Sequence, residues 1–337
     1  MTSDFPLLKL PLIPLERIIE QLDFLDLVRL SMKSTKLKCL LELLKLSVQT
    51  LHVFITERLY RIKILQNQCC FYIDVHDSVP VDTNTELANI QSEHVQIWNH
   101  GRDEVKVKSD LSKLATLEAI TKYILSISKV KKYSLNYDDA ETEIRSLFIW
   151  QITTQLDKFD IFPYHGSHVP ISPEDLTFVL DRISIKSLFL NGSCPGFKYQ
   201  RPIRHPEIHI HRPRWIDFNQ FLPAPETITA NFSDQKISND VLNRLMKGWT
   251  KGKNPKLREI KFTWGNRDPE SLAMARKHET RPHRPILPNQ NIEQLKGLSI
   301  NLRMKHRPLF HSVYYYEVLI SVEEDFGLNG IHLDDQN

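Results

Sequence analysis

The sequence predicts an α/β (α+β) chain in which a small three-helix segment is followed by a longer domain of recurring strands and helices. Three observations lead there. Leucine stripes at helical spacing fill the first 46 residues, alternating β-branched runs begin near Val48, and capped helices then recur ahead of strands further along the chain. At 337 residues, a division into residues 1–46 and 47–337 fits a small module joined to a larger one.

The N-terminal elements follow in order. Pro14 suits the start of a helix, where its missing N–H is not needed. Leu15, Ile18, Ile19 and Leu22 then form one apolar stripe opposite Glu16, Arg17, Glu20 and Gln21. Asp23 is a candidate cap for a second helix carrying Leu27, Val28 and Leu30. Ser34 is a cap for a third helix with Leu37, Leu40, Leu41 and Leu44.

Strands are expected at Val48 to Ile55, Cys70 to Val75, His94 to Trp98 and Glu104 to Lys108, with His100-Gly101 as a turn. A helical stripe runs from Leu111 through Leu114, Leu117, Ile120 and Ile124, and Lys132 to Tyr137 reads as the next strand. Ser172 caps a helix that has Pro173 at its first position and Leu176, Val179, Leu180 and Ile183 on its apolar face. Ser187 to Leu190 is the strand behind it. Thr227 to Asn231, a helix capped by Ser238 with Leu242, Leu245, Met246 and Trp249, and the strand Leu257 to Trp264 repeat the unit. Stacked strand-helix units of this kind bury one another's apolar faces, so a leucine-rich-repeat-like arc is expected, although no complete Leu-x-x-Leu-x-Leu-x-x-Asn signature occurs.

Composition excludes several classes. A net charge of +3, from 44 Lys plus Arg against 41 Asp plus Glu, supplies no global field toward nucleic acid or anionic membrane. Ten glycines leave little material for phosphate-binding loops. Four cysteines, Cys39, Cys69, Cys70 and Cys194, are too few and too irregularly spaced for a disulfide framework, so reduced thiols in the cytoplasm or nucleus are expected. No run reaches the length of a membrane span, and prolines break the N-terminal apolar stretch.

Leu10, Pro11, Ile18, Leu22, Asp23, Asp26, Leu27, Arg29, Leu30 and Ser31 stand in the order and spacing of an F-box, and the chain resembles F-box proteins of the nematode type. Pro14, Lys33 and Leu37 depart from that pattern. Further on, Trp249, Asn254-Pro255 and Leu257 resemble the F-box-associated domain that follows the F-box in one such group. The resemblance implies a non-catalytic adaptor of a Skp1-cullin-F-box type E3 ubiquitin ligase, with a Skp1-family partner, a cullin-RING ligase behind it and a protein substrate. It assigns Leu10, Pro11, Leu15, Ile18, Leu22, Leu27 and Leu30 to the Skp1-binding helices, where the same stripe also serves as internal core. Trp249, Trp264 and Tyr315 of the Tyr314-Tyr315-Tyr316 run are candidate substrate anchors, and core packing is the competing role for such aromatics.

Other chemistry fits less well. Gly248, Gly252 and Lys253 have the wrong spacing for a phosphate loop. His205, His209 and His211 lie close together, but Pro202, Pro206 and Pro213 suggest an irregular polar loop and not a metal site. Cys69-Cys70 lacks a basic neighbour to generate a thiolate. No cofactor, metal or catalytic residue is expected. The alternative to an adaptor is a repeat-like protein- or nucleic-acid-binding module without a ligase role. Its candidate contacts are Lys247, Lys251, Lys253, Lys256, Arg258 and Lys261 with Trp249 and Trp264 interleaved, followed by Arg276, Lys277, Arg281 and Arg284.

Overall fold

The computed structural model describes residues 11–81, 83–90, 93–99, 101, 103–162, 169–211, 214–216, 229–233, 244, 259–266, 298–307 and 313–322. The chain divides into two compact units, Met1–Val169 with Arg182–Ile185, and Pro170–Asp181 with Lys186–Asn337. Both combine sheet with few helices, a mixed α/β architecture.

The first unit opens with α1 (Leu12–Gln21), α2 (Phe24–Lys33) and α3 (Thr35–Leu44). Pro14 sits in the first turn of α1, ahead of the first N–H that needs an intrahelical partner, and Leu15 N–H donates to the Pro11 carbonyl at 3.1 Å. Asp23 precedes α2 without a capping bond from its side chain, whereas Ser34 Oγ accepts from Leu37 N–H at 3.3 Å and caps α3. Lys45, left-handed at φ 54°, ends α3 by donating its N–H to the Leu41 carbonyl. Leu15, Ile19, Phe24, Leu25, Leu27, Val28, Leu37 and Leu41 are buried. At about 1.5–3 kcal/mol per buried apolar side chain, this burial fixes the three short helices, none of which is long enough to persist alone.

These helices share their unit with an eight-stranded sheet. Its strands are β1 (Leu46–Thr56), β2 (Tyr60–Gln66), β3 (Cys69–Val75), β4 (Glu86–Ile90), β5 (Glu93–Asn99), β6 (Glu104–Ser109), β7 (Ser128–Asp138) and β8 (Gln155–Ile161), in the order β4-β5-β6-β3-β2-β1-β7-β8. Strand β1 pairs antiparallel with β2, β2 with β3, β4 with β5 and β5 with β6. The pairs β3-β6, β1-β7 and β7-β8 are parallel. Hairpins thus occupy β1 to β6, and strand-helix repetition does not run through this unit. Between β6 and β7, α4 (Lys113–Ile127) crosses over one face of the sheet, and α5 (Ile149–Ile152) precedes β8. Leu51, Val53, Ile55, Ile62, Ile64, Ile73 and Leu135 meet Leu117, Ile120, Ile124 and Ile127 of α4 in a fully buried core.

In the second unit Ser172 caps α6 (Pro173–Arg182), with Asp175 N–H 3.0 Å from its Oγ and Leu176, Val179 and Leu180 buried. The strands that follow the short β9 (Val169–Pro170) are β10 (Ser184–Leu190), β11 (Gly192–Ser193), β12 (Glu207–His211), β13 (Thr229–Ser233), β14 (Glu259–Asn266), β15 (Leu298–Arg307) and β16 (Val313–Val322). Strands β10, β12, β13 and β14 pair in parallel succession, and β16 adds antiparallel to β14 and to β15. Strand β12 corrects the expected loop: Pro202, Pro206 and Pro213 bracket the strand without entering it, and Ile208 and Ile210 alternate into the core. The helix expected after Ser238, with Leu242, Leu245 and Met246, lies outside the described residues apart from Arg244. No described helix is long and apolar enough to cross a membrane.

Candidate functional site

The structure divides the expected docking residues into two kinds. Leu15 and Leu27 are 5% and 2% exposed and belong to the core, and Ile18 is half-buried. Pro11, Leu22 and Leu30 face solvent, the two leucines at 37% and 46% exposure. Leu10 lies outside the described residues. Leu43 on α3, 82% exposed, went unnoticed in the sequence because it falls off the Leu37/Leu41 stripe. Among the described residues of the three helices, Leu22, Leu30 and Leu43 are the exposed large apolar side chains.

Charged and polar groups hold α2 in place. Arg29 Nη2 and Lys33 Nζ both reach Glu86 Oε2 on β4, at 3.0 and 2.8 Å, and Arg29 also lies 3.8 Å from Asp26. Hydrogen bonds from Lys33 and then Arg29 hold the Glu86 carboxyl below the usual range. Lys33, which departs from the F-box pattern, is therefore engaged with the sheet. Ser31 is buried, donates its hydroxyl to the Val28 carbonyl at 2.7 Å, and lies 2.8 Å from the Tyr123 hydroxyl on α4. With its own proton committed to Val28, Ser31 accepts from Tyr123 and ties α2 to the crossover helix.

Of the substrate candidates, Trp249 lies outside the described residues, and Trp264 and Tyr315 are described as backbone positions. Trp264 is in register with Tyr316, an even number of residues from buried Ile260. Tyr315 is in register with Gly265, on the opposite side of the strand pair. The two are thus not brought to one face. The histidines expected in a loop are placed on or before β12. His205 is buried, His209 Nε2 lies 3.0 Å from Glu207 Oε1, and Phe189 on β10 contacts the rings of His209 and His211 at 6.2 and 5.1 Å. The bond from His209 is the main cause holding the Glu207 carboxyl below its ordinary range. Among the described residues, no three His, Cys, Asp or Glu side chains are grouped to hold a metal ion. All four cysteines are free; Cys194 is buried, and that burial pushes its thiol pKa up, away from nucleophile chemistry.

A second surface lies on the first unit's sheet, on the side opposite α4. Register places Lys158, Ser134, His52, Lys63, Tyr72 and Glu104 in one row across six strands, and Asp160, Asn136, Phe54, Arg61, Asp74 and Lys106 in the next. Arg61 grips buried Asp74 through Nε and Nη2, both at 2.5 Å, and its guanidinium lies 4.9 Å from the Tyr72 ring centre. His52 stacks on Phe54 with ring centres 4.2 Å apart and planes 19° from parallel, and its Nε2–H donates to Asn136 Oδ1 at 2.6 Å. The sequence signal for this face is the alternation of Arg61, Ile62, Lys63 and Ile64, which marks β2.

Residues 202–262 match the model of the F-box associated family. The matched segment includes β12, β13 and the first residues of β14. No curated protein and no solved structure matches the chain.

Proposed function

We propose that this chain is the substrate-recognition adaptor of a Skp1-cullin-F-box type ubiquitin ligase. Residues 1–46 serve as the F-box and residues 47–337 as the recognition domain, a non-catalytic role exercised in the cytoplasm or nucleus. The observation that carries the reading is the F-box associated match at residues 202–262, in a chain whose N-terminal helices leave Leu22 and Leu30 uncovered. Within the docking set, Pro11, Leu22 and Leu30 make the Skp1 contact, with Ile18 at its margin, and Leu15 and Leu27 hold the helices in the shape that presents them. The parallel run β10-β12-β13-β14 supports a leucine-rich-repeat-like arc as the substrate side, with Trp249, Trp264 and Tyr315 as candidate anchors.

The test is reconstitution. The full chain, co-expressed with a Skp1-family protein and a cullin, is expected to purify as one complex. A folded chain that elutes alone would contradict the proposal.

A further inference from the structure

The end of the first unit's sheet at which β1 and β7 begin carries more cations than acids. The two strands run parallel there, with Ser47 in register with Lys129 and Thr50 with Lys132, which sets Gln49 opposite Lys131. Neither the segment from Leu43 to Thr56 nor the segment from Ala119 to Tyr137 contains an Asp or Glu. On the other side of β1, Thr50 is in register with Leu65, and Gln66 to Cys69 at the turn that follows are uncharged.

Most of the lysines in these segments are already committed. Lys122 meets Glu118 at 2.6 Å, and Lys132 meets Asp157 of β8 at 3.6 Å. Lys45 Nζ donates to the Ser126 carbonyl at 2.5 Å, near the end of α4. Lys129 and Lys131 are exposed, and among the described residues neither has a carboxylate within ion-pair distance. Two residues apart, they project from one side of β7 with a spacing of roughly 6.6 Å. Helix α3 runs into the same edge. Its outward face carries Lys36, Cys39 and Leu43, opposite buried Leu37 and Leu41, and Leu43 is 82% exposed two residues before Lys45. Glu42, the carboxylate beside it in sequence, meets Lys38 at 3.7 Å.

These features select among anions. An anionic bilayer calls for clusters of about 4–8 Lys or Arg, more than stand free here. Single-stranded nucleic acid needs exposed rings for its bases, whereas the most exposed apolar group at this edge is the aliphatic Leu43. An extended polypeptide repeats its side chains on one face every second residue, which is the spacing of Lys129 and Lys131. Carboxylates on such a segment answer both lysines, and an apolar side chain covers Leu43.

We propose that this edge binds an acidic polypeptide segment of a partner protein, with carboxylates on Lys129 and Lys131 and an apolar side chain on Leu43. The site is distinct from Leu22 and Leu30 and from the segment matched at residues 202–262, and it does not depend on the adaptor reading. The total charge of +3 supplies little long-range attraction, so affinity comes from contact at this edge.

The experiment is fluorescence anisotropy of the full chain with a short fluorescein-labelled peptide of Asp, Glu and Leu, across a salt series. Saturable binding that weakens as salt rises is expected, and the same peptide with Asn and Gln in place of its acids should not bind. Lys129→Glu/Lys131→Glu should weaken binding at least about tenfold, because each contact turns from attraction to repulsion. Leu43→Ser should weaken it at least about threefold. Lys108→Glu on β6 should leave it unchanged. All these positions are on the surface or half-buried, and circular dichroism verifies that each variant is folded. The proposal is overturned if folded wild type does not bind the acidic peptide at low salt, if the uncharged peptide binds equally, or if the lysine pair variant binds as wild type does. It is also overturned if oligouridylate or phosphatidylserine vesicles bind more tightly than the peptide through the same two lysines.

Discussion

Replacing Ser31 by alanine tests how α2 is fastened to the rest of its unit. Both Ser31 and Tyr123 are 2% exposed, and the serine hydroxyl bridges the Val28 carbonyl and the Tyr123 hydroxyl. Ser31→Ala leaves the buried phenol without this acceptor, a penalty of about 1–3 kcal/mol. Tyr123→Phe removes the donor instead, while Ser31 keeps its bond to Val28, so its cost should be smaller, about 0.5–1.5 kcal/mol. Because each change removes the same bond, the double variant should be less destabilised than the sum of the singles, by about 0.5–1.5 kcal/mol. Urea unfolding of the four proteins, followed by far-ultraviolet circular dichroism, measures the cycle. Additive effects, or Ser31→Ala costing less than about 0.5 kcal/mol, would show that this bond does not hold α2 to α4.

Three further outcomes are expected. Leu27→Ala, at 2% exposure, should cost about 2–5 kcal/mol, whereas Leu22→Asp/Leu30→Asp should leave the thermal melt within about 2 °C of wild type; equal effects would refute the assignment of core and surface. Gln68→Gly should stabilise the chain by about 0.5–1 kcal/mol, because Asn67 and Gln68 form a two-residue hairpin turn at φ 47° and 69°, a conformation glycine adopts more readily, and a lower urea midpoint would contradict this. The lowered pKa of Glu86 means that its contribution is complete above the ordinary carboxylate value of 4.5 and is lost as pH falls through the lower folded value. Since the pair with Lys33 is more than a third exposed on both sides, that contribution is below about 1 kcal/mol. Stability of Glu86→Gln should accordingly fall less than that of wild type between pH 5 and 3, and parallel acid profiles would refute the role.

The three N-terminal helices were legible because each has a stripe and a start signal, as did α6, where Ser172 and Pro173 announce the first turn. Strands β2, β4, β8, β15 and β16 and the two-residue β9 and β11 were not anticipated. Gln68 stands where glycine would have signalled a hairpin, which hid β2, and the five-residue β4 is too short to show a period. Proline-rich flanks hid β12, because they change the probability of a strand at a position without deciding it. For the candidate site, the sequence suggested an apolar set on the N-terminal helices without showing its division into buried and exposed members. Leu15 and Leu22 belong to one stripe, and only tertiary packing separates the buried residue from the exposed one. The His52 and Phe54 face depends on register across six strands, which a single sequence does not encode locally.

The most direct test of the central claim is the dissociation constant between a purified Skp1-family protein and this chain, compared with its Leu22→Asp/Leu30→Asp variant. Isothermal titration should show saturable binding to wild type and at least about a hundredfold loss in the variant, with both proteins equally folded, as expected when two solvent-exposed leucines that a partner would cover are replaced by charges. Absent binding to folded wild type, or equal affinity of the two proteins, would contradict the account.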